Sequence, residues 1–250
     1  MMKLFAELNR EQIRAAAQES LVVLPIGATE QHGPHLATGM DFFTVESLAR
    51  NAALLASKEI PIVVTPTLPF GSSHHHFVFG GTMSLTTETY FKVLFELVES
   101  LVTDGFTRIF LLNGHGGNHE LAQLAARDIA LKYPVRAAAG SYWNVAWKAL
   151  VGTDAHKGRN LPGHAGDFET SIMLSLRPEL VAAERPHRDP QGDTDPSGAQ
   201  APFRDERYGW WKGIGGYTDS PAQADAARGT LYRDAIAKAV AEAWVKYYNS

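Results

Sequence analysis

Chemistry in this chain is concentrated behind an apolar run, Leu21 to Ile26, where Glu30, His32, His35 and Asp41 stand within a few residues of one another. Carboxylates and imidazoles are costly to crowd together unless something pairs with them. A divalent cation does so economically, because it neutralises two carboxylates and accepts neutral imidazole nitrogen as well. Farther along stand His115, in Asn113-Gly-His-Gly-Gly-Asn118, and the pair His164 and Glu169, in His164-Ala-Gly-Asp-Phe-Glu169. Together Glu30, His32, Asp41, His115 and Glu169 form a nitrogen and oxygen ligand set. On an extended segment Glu30 and His32, two apart, share a face, so each can reach one of two neighbouring ions. Asp41 can place its two oxygens on both, and His115 and Glu169 then complete one site each. Two ions roughly 3.5–4 Å apart acidify a shared water and polarise a substrate carbonyl. The expected cofactor is therefore a pair of divalent ions, zinc or manganese, with iron also suited to these donors.

Other residues carry competing readings. His164 is placed to relay a proton to a leaving nitrogen, or else is a surface loop histidine. Glu169 joins it as a candidate catalytic group. Asp41 just precedes a helix, where it could instead serve as an N-cap. The His74–His76 run could add a ligand, orient a carboxylate or line the pocket. Ser73, His75, Gly116, Asn118 and Trp143 are the candidate substrate contacts. The glycine-rich stretch at 113–118 lacks a Gly-Lys-Ser/Thr ending, which argues against nucleotide binding. Ser72, Ser73 and Ser171 lie in no Gly-x-Ser-x-Gly elbow, which argues against a serine nucleophile.

The elements that must position these groups alternate. An amphipathic helix is expected over 3–19, a strand over 21–26, a helix over 42–58, a strand over 60–65 and a helix from 86 to about 104. A strand over 106–112, a helix over 119–132 and a strand over 135–139 follow, and a last helix covers 221–248. This order predicts an α/β fold, a three-layer sandwich whose mostly parallel sheet is flanked by helices. Ligands of such sheets bind beyond the carboxyl ends of the strands, and the Glu30, His74–His76 and His115 loops all leave that edge. The long 66–82 loop reads as functional, and residues 142–163, with Trp143 and Trp147, read as a flap over the site. Residues 184–209 read as an extended surface segment or oligomer arm, and 210–217 as an aromatic and glycine-rich loop.

At 250 residues one domain, 1–250, is the default. A net charge of −4 offers no basic field for nucleic acid. The absence of cysteine excludes disulfides and thiolate ligands. No apolar run reaches the ~18 residues of a membrane span. The start of the chain, running directly into polar Asn9-Arg-Glu-Gln12, points to the cytoplasm.

Four segments resemble the creatininase (creatinine amidohydrolase) family. They are Gly27-Ala-Thr-Glu-Gln-His-Gly-Pro-His35 with Asp41, Phe79-Gly-Gly-Thr-Met-Ser-Leu85, Asn113-Gly-His-Gly-Gly-Asn-His119 and His164-Ala-Gly-Asp-Phe-Glu-Thr-Ser171. The tail Gly215-Gly-Tyr-Thr-Asp-Ser-Pro-Ala-Gln-Ala224 is similar to the family's closing pattern, so the likeness runs from about 20 to 230. It implies a single α/β domain in a homo-oligomer, often a hexamer. It also implies a dinuclear zinc or manganese centre that hydrolyses a non-peptide C–N bond in a small cyclic amide or formamide. By position Glu30, His32, Asp41 and His115 match the family's metal ligands, with Asp41 bridging, and His164 matches its catalytic histidine. Creatinine-hydrolysing members carry a glutamate two residues after the loop histidine, where this chain has Gly117; Glu169 is expected to fill that role. Other branches act on formamidopyrimidines, peptide-derived cofactor precursors or keto-sugar rings. A cyclic keto-sugar hydrolase or isomerase, and a non-catalytic metal-binding scaffold, are the alternatives.

Overall fold

The computed structural model describes residues 1–153, 155–156, 161–188 and 206–250. Its centre is β2 (Leu21–Ile26), buried at every position. Beside it run β3 (Ile62–Val64), β4 (Arg108–Asn113) and β5 (Arg136–Ser141), with β1 (Met2–Leu4) at the far edge. The five strands form one sheet in the order β1-β3-β2-β4-β5, and every pairing is parallel. Register brings Ile26, Asn113 and Ser141 into one row at the carboxyl edge.

Helices cover both faces, as α/β alternation requires. They are α1 (Arg10–Ala17), α2 (Met40–Ala56), α3 (Thr87–Thr103), α4 (His119–Lys132), α5 (Tyr142–Val145), α6 (Trp147–Gly152), α7 (Asp167–Leu176), α8 (Trp210–Gly213) and α9 (Ala226–Asn249). Strand side chains alternate between faces. Leu21 and Val23 point with Phe110 and Leu112 into a core built with α2, α7 and α9, whereas Val22, Leu24 and Ile26 point with Ile109 and Leu111 toward α1, α3 and α4. Trp244 of α9 is fully buried against Phe110, and truncating such a side chain to alanine costs about 3–5 kcal/mol.

Two expectations change. Residues 3–19 are not one helix, because Met2–Leu4 pair with β3 as an edge strand. The helix waits for Asn9, whose side chain accepts from Glu11 and Gln12 while Gln12 caps the Asn9 amide in return. Of the flap expected over 142–163, residues 142–152 carry α5 and α6, with Trp143 and Trp147 packed into the α2/α9 core, and 154 and 157–160 lie outside the described residues. Of the segment expected as a surface arm, 189–205 lies outside the described residues.

α7 and α9 are joined unusually closely. A Cβ on Gly229 would lie 1.8 Å from the Ser171 carbonyl oxygen, so only glycine fits there. Arg228 makes a bidentate pair with buried Asp167 at 3.0 and 2.8 Å, and Asp225 donates its amide to Ser171 Oγ at 3.0 Å.

Candidate metal centre

Glu30 and His32 lie in the connection after β2, Asp41 in the first turn of α2, His115 in the turn after β4, His164 just before α7 and Glu169 in its first turn. All six are buried. Gly27 makes the first approach possible, since a Cβ there would stand 2.6 Å from Phe42 Cα at the head of α2. The N-cap of α2 is Gly39 without a side-chain bond, and Asp41 instead turns its carboxylate toward histidines.

Each imidazole is pinned by one nitrogen to a backbone carbonyl, which can only accept. His32 Nδ1 is 3.1 Å from Glu30 O, His115 Nε2 is 3.2 Å from Ser72 O, and His164 Nε2 is 2.9 Å from Gln31 O. These nitrogens therefore carry the protons. The other nitrogens face carboxylates. His32 Nε2 is 3.2 Å from Asp41 Oδ1 and 3.8 Å from Glu169 Oε2. His115 Nδ1 is 3.1 Å from Asp41 Oδ2 and 3.3 Å from Glu30 Oε1, and His164 Nδ1 is 3.5 Å from Glu30 Oε1. A lone pair facing a carboxylate is repulsive, so each gap requires a positive charge, either a second proton or a cation.

In the metal-free chain the charge at His32 and His115 is a proton. Burial alone would lower His32, yet the carboxylates of Asp41, Glu169 and Glu30 prevail and raise it to about 10. Burial is likewise overcome at His115, which Glu30 and Asp41 hold well above its ordinary value. Glu169 moves the opposite way for a carboxyl in such company: burial pushes it up to about 8, with Asp41 adding to the rise and His32 opposing it. Protons do not complete the site, because Glu30 Oε1 and Oε2, His32 Nε2 and Asp41 Oδ2 stay buried without a hydrogen bond of good geometry. Among the described residues donor atoms converge within 4.8 Å in three groups, His32–Asp41–Glu169, Glu30–His75–His115 and Glu30–His32–His164. Hard carboxylate oxygen with imidazole nitrogen suits zinc, manganese or iron(II), and the residues fit a divalent ion.

Of the expected substrate contacts, the structure brings Ser73 and His75 to this cluster. Buried Ser73 places Oγ 3.1 Å from His115 Nε2, and the His75 ring lies parallel to that of His115 at 5.9 Å. Gly116 is exposed at the cluster's edge with open space where a Cβ would be. Asn118 is buried, and its amide is committed to the scaffold, accepting from Ser72 N and donating to Gly27 O, both at 3.0 Å. Trp143 packs in the core. The tryptophan at the cluster is Trp211, whose ring is 4.5 Å from that of His76, 5.1 Å from His164 and 5.6 Å from His75. Gln31 was also not singled out by sequence. Its Nε2 lies 2.9 Å from His76 Nδ1, 3.0 Å from His164 Nε2 and 3.1 Å from Gly216 O. The sequence signals were present, an amide between two ligand candidates and a tryptophan pair in a glycine-rich loop, but only the tertiary fold joins them.

Comparison with known proteins finds relatives over most of the chain. A family model described as creatinine amidohydrolase matches residues 6–244. A mycofactocin precursor peptide peptidase of Mycobacterium ulcerans is 32% identical over 171 residues, covering 66% of this chain and 61% of the relative. A 3-dehydro-scyllo-inosose hydrolase of Thermotoga maritima is 30% identical over 202 residues, covering 78% of this chain and 61% of the relative. The match thus spans less than two thirds of either relative's length. Among solved structures, a manganese creatininase superposes with a TM-score of 0.81 at 24% identity, over 100% of both chains, which shows a shared fold.

Proposed function

This chain belongs to the creatininase family, and from that premise we propose that it is a metal-dependent amidohydrolase of a small polar substrate, cleaving a non-peptide C–N bond in a cyclic amide or formamide. The observation that carries the reading is the set of buried carboxylate oxygens that converge on imidazole nitrogens and carry no hydrogen bond of good geometry. Glu30 and His115 would hold one divalent ion and His32 and Glu169 a second, with the two oxygens of Asp41 divided between them. Such a pair acidifies water and polarises a carbonyl.

The chain's own residues supply the rest. His164 is buried, and burial, with His76 and His32 beside it, holds its pKa well below the ordinary value. It is therefore neutral at pH 7, with Nε2–H fixed on Gln31 O and Nδ1 open toward the cluster. A neutral imidazole so oriented takes a proton at Nδ1 and returns it to the leaving nitrogen. Trp211, His75 and His76 wall the same side and exclude bulk water. A Cβ at position 117 would meet Ser72 O at 2.2 Å, so this chain builds that side of its pocket from the 72–76 segment and not from a side chain at 117. Such a pocket favours substrates other than creatinine.

Hydrolysis of a cyclic keto-sugar is the second reading, favoured by the Thermotoga relative, which covers more of this chain than the peptidase does. Product mass spectrometry separates the two, since only the first frees an amine or turns an amide into an acid. The protein is further read as a cytoplasmic homo-oligomer, a hexamer by likeness to its family. The exposed side chains of Phe77, Val78 and Met83 support an assembly. Among the described residues no helix is long and apolar enough to cross a membrane.

Metal analysis of the purified protein beside Asp41→Ala tests the proposal. About two ions per chain, falling sharply in the variant, is the expected result; no bound ion after reconstitution with zinc and manganese refutes it.

A further inference from the structure

The three histidines at 74–76 occupy three different environments. His74 is exposed, with Nδ1 2.8 Å from Ser84 Oγ. His76 is buried between Gln31 and Glu30, its Nε2 3.5 Å from Glu30 Oε1. His75, half-buried between them, lays its ring parallel to His115 at an interplanar angle of 2°. One of its ring nitrogens, a Glu30 oxygen and a His115 nitrogen lie within 4.8 Å of one another.

The backbone holds this arrangement in place. Ser72 N donates to Asn118 Oδ1 at 3.0 Å, Ser73 N donates to Ser84 Oγ at 2.7 Å, and the Ser72 carbonyl accepts from His115. Gly117 completes the seat, because a Cβ there would lie 2.2 Å from Ser72 O, 2.6 Å from His115 Nε2 and 3.3 Å from His75 Cε1. Both Glu30 oxygens are fully buried without a hydrogen bond, so the position that His75 approaches is one where a cation is needed.

We infer that His75 is a protein ligand of the ion held by Glu30 and His115, so that the connection between β3 and α3 closes that half of the centre. With an Asp41 oxygen the ion then has four protein donors, two imidazoles and two carboxylates, drawn from three separate connections. This rests on the metal-centre reading above and adds a ligand to it.

The test uses the full chain loaded with cobalt(II), a spectroscopic substitute for zinc, as wild type, His75→Ala and His74→Ala. Chelator competition reads affinity, and proton NMR reads the paramagnetically shifted, exchangeable N–H of each coordinated imidazole. His75→Ala is expected to release one ion at chelator concentrations at least about tenfold lower and to lose one shifted N–H signal, while His74→Ala matches wild type. Unchanged affinity and an unchanged signal set in His75→Ala overturn the inference and leave the centre standing. A wild type that binds no cobalt overturns both.

Discussion

Two connections leave the same edge of the sheet and meet over the same cluster, yet they are built in opposite ways. The segment from Gly27 to Asp41, between β2 and α2, is mostly buried, and Glu30, His32 and Asp41 are all sealed inside it. The segment from Thr65 to Thr86, between β3 and α3, buries Gly71, Ser73 and His76 but leaves Phe77, Val78 and Met83 49, 63 and 59% exposed. The first is a fixed frame, because charged side chains removed from water tolerate no slack. The second has a fixed base and a free tip, the arrangement expected where a site meets variable substrates or partners. The comparison suggests a division of labour to test: metal affinity in the buried connection and in the fixed base of the second, selectivity in that second connection's exposed tip.

Substitutions can break that division. The largest effect is expected from Asp41→Ala in the frame, which should abolish turnover and lower bound metal together, read by metal analysis and product formation. His164→Gln should cost about 10²–10⁴ in kcat while bound metal stays at the wild-type level. Loss of metal in that variant would make His164 a ligand instead of a proton carrier.

Stripping the metal should give a pH-dependent loss of stability. In the metal-free chain His32 is raised to about 10 and Glu169 to about 8, and His115 is raised as well. Groups raised on folding stabilise the fold below their unfolded values, and that stability is lost as pH rises through the folded values. The buried histidines with lowered values, His35, His76 and His164, act below their unfolded value, near pH 6.5. Between about pH 6.5 and 8 the metal-free protein therefore loses stability, whereas in the loaded protein these groups are already deprotonated. The gap in Tm between loaded and chelator-treated protein should widen across this range, and thermal melts at fixed ionic strength check it.

Effects in the exposed connection and its neighbour should be smaller. Trp211→Ala removes ring contacts worth about 0.5–1.5 kcal/mol, so KM should rise up to about tenfold with metal content intact. Phe77→Ser at the tip should leave turnover per chain within about twofold, a surface change in the usual range; sedimentation then shows whether the tip holds copies together.

Much of this organisation was legible in the chain. The alternation of apolar runs with amphipathic stretches located β2, α2, α3, β4 and α4 to within a few residues, because strands buried on both faces and helices buried on one write their periods plainly. The residues of the cluster stood out because acids and imidazoles gather after strands for few other reasons. What escaped depended on contacts distant in sequence. Met2–Leu4 has too few residues to show a period and becomes a strand only beside β3. Trp143 and Trp211 look alike as letters; one follows a strand into the core, while the other comes back from the region after residue 206 to meet His76 and His164. Gln31 was overshadowed by its neighbours, although its amide and carbonyl orient two of the cluster's rings.

The junction of α7 and α9 has a consequence for how this protein comes apart. Glu169 lies between Asp167 and Ser171, two residues from each, and Gly229, Arg228 and Asp225 lock those two to the last helix. With Glu169 as a ligand, as proposed, the C-terminal helix would act on the ion without contributing a donor atom: loosening that helix should weaken the ion's hold, and removing the ion should loosen the helix.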